Sequence, residues 1–174
     1  VSLIVVFYLF VILLSVIGAM RGWAQELLVT FSVILAFFLI TIFETFILPK
    51  YGSAMISDQS PQQFWMRTFI LLALVYFGYQ TPKISRFAGS AKKDRISDSF
   101  LGFFLGGING YLIVGTIWYY MAYAHYPFKY FLDPAKLLET SIEINPPAQA
   151  AIDFVSKLPP VWLGSSPGIF IAVG

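Results

Sequence analysis

The chain has 174 residues, 58% of them hydrophobic and 11% charged, with a mean hydropathy of +0.77. Soluble domains carry about a quarter of their residues as charges, so this composition belongs to an integral membrane protein. The net charge of +2 is too small to imply nucleic acid; the lack of cysteine excludes disulfides, iron–sulfur clusters, thiolate metal sites and Cys nucleophiles; and the single histidine, His125, excludes bis-His haem ligation and His-rich metal sites within the chain.

Residues 1–20 are almost unbroken apolar sequence, and roughly 20 residues cross a hydrocarbon core. There is no initial Met and no charged leader stretch, so the native start is expected to be missing, and the closing GIFIAVG also reads as a cut end. Arg21-Gly22 closes this first span, and a second follows over residues 27–48, ended by Pro49. Only a tight hairpin fits between them, which predicts antiparallel, adjacent helices. After a polar loop, Ser60-Pro61-Gln62-Gln63 reads as a helix start: Ser60 caps, Pro61 takes the first helical position and Gln63 completes a capping box. The third span is placed at residues 64–80, with Arg67 snorkelling to the interface.

The connection that follows holds Lys83, Arg86, Lys92, Lys93 and Arg95 against Asp94 and Asp98. Ile84, Phe87, Ala88 and Ala91 share a helical face. This predicts a short amphipathic helix on an anionic membrane surface, with Arg86, Lys92, Lys93 and Arg95 at the headgroups; the alternative is a solvated basic loop. The fourth span, residues 99–123, starts after Ser97-Asp98, either of which can cap it. Its far end carries Trp118, Tyr119, Tyr120, Tyr123 and Tyr126, an interfacial aromatic belt. In the tail, Asp133-Pro134 opens the short helix AKLLETSIEI. Asn145-Pro146 opens another, running to about Lys157 and stopped by Leu158-Pro159-Pro160. Leu137, Leu138, Ile142, Ile152, Phe154 and Val155 are expected on the bundle's outer rim.

The expected fold is therefore all-α. Residues 1–126 form a membrane-spanning four-helix bundle with an amphipathic interfacial helix before the last span, and residues 127–174 form an extramembrane tail with short helices. The two basic connections are placed in the cytoplasm by the positive-inside rule, which puts both termini outward across the inner membrane of a bacterium.

Gly102, Gly106 and Gly110 recur every fourth residue and stack on one helix face, so another helix can approach backbone to backbone. That helix belongs either to this bundle or to another subunit. Asn109, beside this stripe, needs a hydrogen-bond partner on a facing helix; a substrate or proton path there would need more polar company in the membrane than the sequence offers. Arg21 and Glu26 flank the Gly22 turn closely enough to pair, and Glu26 meets the positive end of the second helix. They form either a polar lock, open to docking by a cytoplasmic partner, or a turn that fixes topology. Glu44 is expected at the outer interface, with a proton-relay role as the alternative, and His125 as a hydrogen-bonded anchor in the aromatic belt, with binding of an ion or quinone head group as the alternative. No paired carboxylates, Ser-His-Asp set, P-loop or dinucleotide fingerprint is present. Catalytic, cofactor and metal sites are accordingly not expected.

The landmarks MRGWAQELL over residues 20–28 and SDSFLGFFLGGINGYLIV over residues 97–114 resemble the colicin V production protein (CvpA) family. Arg21, Gly22, Glu26, Asp98, Leu101, Gly102, Gly106 and Gly110 match its pattern residue by residue. Family members often carry a basic residue at Ser99 and an Arg at Asn109, and the acidic residue expected before the first span is missing. The resemblance implies an inner-membrane location and a non-enzymatic role in toxin production or export. Two other readings stand beside it. One is an accessory subunit of an electron-transfer or photosynthetic complex, which needs only complementary surfaces and lipid contacts. The other is an oligomeric channel or transporter component, which needs polar lining that these apolar spans lack. The partners expected are membrane lipids and other membrane subunits or a second copy.

Overall fold

A computed structural model describes residues 3–52, 56–80, 95–127 and 146–164. The described residues are helical with short turns and no strand. Helix α1 is Leu3–Arg21, α2 Trp23–Ile42, α3 Pro61–Gln80, α4 Arg95–Tyr123, α5 Pro146–Val155 and α6 Pro159–Gly164. The amphipathic stretch, with Arg86, Lys92 and Lys93, and the AKLLETSIEI helix lie outside the described residues. Arg95 is the first residue of α4.

Several boundaries differ from the sequence expectation. Pro49 does not end the second helix: from Phe43 the chain winds more widely and runs through Pro49 to Gly52. Proline has no N–H for the ordinary bond to the fourth preceding carbonyl, and a wider winding takes it in without a break. Ser97 and Asp98 are not caps, because α4 already starts at Arg95 and Asp98 lies in its first turn. At α3, Ser60 Oγ accepts from Gln63 N at 3.2 Å, while the Gln63 side chain accepts from Gln59 N at 2.9 Å, one residue earlier than a standard capping box.

The helices alternate in direction, and α4 is the central one. Its longest contact is with α1, α2 lies along another of its faces, and α3 packs chiefly on α2. The expected α1–α2 hairpin is joined by Gly22 alone, yet these two helices share only a narrow contact. Glycines let α1 and α4 close to backbone distance, and α2 passes to a different face of α4. The core is built at helical spacing from Val29, Val33, Ala36, Phe37 and Ile40 of α2, Leu71 and Val75 of α3, and Leu112 and Ile113 of α4.

The outside is apolar as well. Val5, Leu9, Ile12 and Val16 of α1, Phe31 of α2, Phe69 of α3 and Phe104 of α4 are exposed. A surface of this kind suits lipid and not water. Among the described residues, three helices are long and apolar enough to cross a membrane: Leu3–Arg21, Trp23–Pro49 and Ile96–Tyr123. Helix α3, where a further span was expected, is not among them, because Gln62, Gln63 and Arg67 make its first two turns polar.

Candidate functional site

The turn between α1 and α2 is a single residue. Gly22 has φ +89°, in the left-handed region that side chains avoid. It also has no room: a Cβ there would lie 2.8 Å from Asp98 Oδ2. Asp98 of α4 thus closes over the turn, and Glu26 is carried into the first turn of α2, where the helix dipole favours its charge.

Glu26 is fully buried and so is Asn109. Arg21 Nη1 donates to Glu26 Oε1 at 2.8 Å. Its other terminal nitrogen donates to the Tyr79 carbonyl at 3.2 Å, and the guanidinium lies 4.4 Å from the centre of the Tyr79 ring. Asn109 Nδ2 donates to both the main-chain carbonyl and Oε2 of Glu26, each at 2.9 Å. Both partners are acceptors, so the amide must present its NH2 group to them and its oxygen to Thr30, whose hydroxyl donates at 2.8 Å. The result is a knot tying the α1–α2 turn to α3 and α4, with one buried negative charge balanced by one guanidinium.

The glycine stripe lies against α1. A Cβ on Gly106 would stand 2.5 Å from the Leu14 carbonyl oxygen and 3.0 Å from Gly18 Cα. Gly102 meets the Gly18 backbone, and Gly110 meets Val11 and Leu14. Gly18 and Ser15, not among the expected interaction residues, are the α1 half of this seam. Their signal was a run of small residues, Ser15, Gly18 and Gly22, at helical spacing. Gly115 lies on a different face and receives the C-terminal hairpin. Pro159 Cδ occupies the space of its absent side chain, and Leu158 is fully buried. Phe154 stacks on Trp118 at 5.5 Å and meets Phe7 at 5.2 Å, while Tyr111 donates its hydroxyl to the Lys157 carbonyl. Phe154 and Leu158 are therefore packed into the side of α4.

At the opposite end of the bundle a second cluster appears. Glu44 and Arg67, expected as separate interfacial side chains, are an ion pair at 2.5 Å. Gln63 donates to the same carboxylate at 3.1 Å. The Arg67 guanidinium lies 5.2 and 5.0 Å from the Tyr120 and Tyr123 ring centres, within cation–π range. Tyr123 donates to Asp58 at 3.1 Å, and His125 Nε2 lies 3.4 Å from the Gln59 side-chain oxygen. The Glu44–Arg67 pairing was invisible in the sequence, because it joins residues from helices whose relative rotation only packing decides.

Among the described residues no three His, Cys, Asp or Glu side chains gather as a metal site. Apolar helices with an apolar coat, and charged groups folded inward as pairs, define a multi-pass helical membrane protein. The chain belongs to the family of the Colicin V production protein, which matches residues 3–146. That is not a known enzyme family. No curated protein and no solved structure matches the chain.

Proposed function

We propose that this is a non-enzymatic protein of the bacterial inner membrane that supports export or envelope processes through contacts with other membrane proteins or with a second copy. The observation that carries this reading is the use made of the polar groups. Arg21, Glu26, Thr30 and Asn109 are consumed in tying helices together, and Gly102, Gly106 and Gly110 are filled by α1. What the bundle offers outward is apolar helix faces, the surface by which membrane proteins recognise one another. In this reading α3 is the fourth span, drawn into the bilayer with its Arg67 neutralised by Glu44. The basic connection and the Arg21 turn face the cytoplasm, and both termini face outward.

Purification in mild detergent tests the partner reading. Stoichiometric co-purification of other membrane proteins, or a defined homo-oligomer, is the expected result, and a monodisperse lone chain refutes it. Redox subunits in the eluate would instead favour an accessory subunit of an electron-transfer complex. These 174 residues contain no cysteine, so single-cysteine labelling of this chain is clean. Ser57→Cys is expected to react with a membrane-impermeant maleimide on intact cells and Ser97→Cys only after permeabilisation. The reverse pattern overturns the orientation.

A further inference from the structure

The knot at the α1–α2 turn is one end of a longer polar track. Glu26 of α2 and Glu44, the second residue of the wider winding that continues α2 from Phe43, fall on the same side of the helix, about five turns and roughly 27 Å apart at 1.5 Å per residue, close to the thickness of a hydrocarbon core. Glu26 faces Arg21 and Asn109; Glu44 faces Arg67 and Gln63, with the Tyr120 and Tyr123 rings beyond. On α4, Asn109, Thr116 and Tyr123 recur every seven residues and so share a face.

Between the two carboxylates are two hydroxyls without a hydrogen-bond partner among the described residues, Thr116 Oγ1 and Thr68 Oγ1. Thr116 is 0% exposed and Thr68 6%. Their isolation is not forced by the helix. Ser15, Ser32 and Thr41 each give their hydroxyl to the carbonyl four residues back. Thr68 and Thr116 make no such bond. The Tyr79 hydroxyl, at the turn end, is likewise buried without a partner. Buried polar atoms are nearly always satisfied, and where no side chain reaches them the usual partner is water.

We propose that the interior of α2, α3 and α4 is a proton path between Glu44 and Glu26, shut in this conformation by an apolar collar of Val33, Leu71, Val75 and Ile113. A hydroxyl donates and accepts at once, so Thr68 and Thr116 can hand a proton along a file of waters leading inward from Glu44. Thr30 and Asn109 hold the far end of that file at Glu26. The collar side chains are all buried. On α4 the collar occupies the stretch from Asn109 to Thr116, about 10 Å of rise. Apolar constrictions gate by drying, and protons cross when water enters.

The test uses the full chain in vesicles of phosphatidylethanolamine and phosphatidylglycerol, with an entrapped pH dye and a potential imposed by potassium and valinomycin. Ile113→Ser, which makes the collar wettable, is expected to raise proton entry at least about tenfold over protein-free vesicles. Adding Thr116→Val or Glu44→Gln to Ile113→Ser is expected to return entry to the baseline. Val33→Ser is the second collar variant, used if Ile113→Ser loses its helical circular dichroism or its monodisperse elution. Proton entry no faster than in protein-free vesicles with a folded collar variant overturns the proposal. So does entry that ignores Thr116→Val, or that is matched by sodium, since either marks an ordinary leak.

Discussion

Replacing Arg21 by Met leaves the Glu26 carboxylate buried with only Asn109 beside it. Glu26 is 0% exposed and the Arg21 side chain 17%, so solvent cannot stand in for the lost guanidinium without opening the knot. Removing one partner of a buried pair costs about 3–5 kcal/mol, because the survivor is an uncompensated charge. Single membrane hydrogen bonds average only about 0.6 kcal/mol, so loss of the Arg21–Tyr79 bond is the minor part. Glu26→Gln is milder, about 1–2 kcal/mol, since the amide oxygen still accepts from Asn109 and Arg21 keeps the Tyr79 carbonyl. The double variant Arg21→Met, Glu26→Gln carries no buried charge. It is expected to recover most of the loss and stand within about 2 kcal/mol of the parent. Equilibrium unfolding in mixed micelles, followed by circular dichroism across this double-mutant cycle, measures all four states. Arg21→Met within about 1 kcal/mol of the parent, or a double variant no better than Arg21→Met alone, would refute the claim that charge balance holds the knot together.

Gly22→Ala is expected to destabilise by more than the roughly 1–3 kcal/mol of backbone strain at a positive φ with extended ψ, since its Cβ also meets the Asp98 carboxylate; adding Asp98→Ala should return only the steric part in the same unfolding assay. Gly106→Ala drives a methyl into α1 backbone and is expected to cost about 1–3 kcal/mol or more, whereas Gly107→Ala meets the Ser15 hydroxyl, which can rotate away, and should cost distinctly less. Gly115→Leu fills the space held by Pro159 and is expected to release the C-terminal hairpin, read as faster tryptic cleavage after Lys157 in detergent with helical content of the bundle retained.

What could be read directly were features set by near neighbours along the chain. A tight hairpin after Arg21 keeps Arg21 and Glu26 close together, and every fourth residue falls on one helix face whatever surrounds it, so the knot's charged half and the glycine ridge were both legible. The partner of Asn109 was not. Its contact with Glu26 depends on how α2 is rotated about its own axis when it reaches α4, and apolar sequence constrains that rotation weakly because lipid and protein are alike to a Leu or a Val. The same indifference hid the Glu44–Arg67 pair, and it hid the choice of α4 over α2 as the packing partner of α1.

By itself the amino-acid order determined that the chain is helical, that its surface belongs in lipid and that its charges cluster at helix ends, because backbone hydrogen bonds in hydrocarbon must be satisfied locally and apolar length measures the bilayer. Only the tertiary structure decided that α4 stands at the centre, that Leu158 and Pro159 fold back against Gly115, and that scattered polar residues line one interior face. Those outcomes rest on close backbone approach and on finding partners for buried polar atoms, which are properties of three-dimensional neighbours.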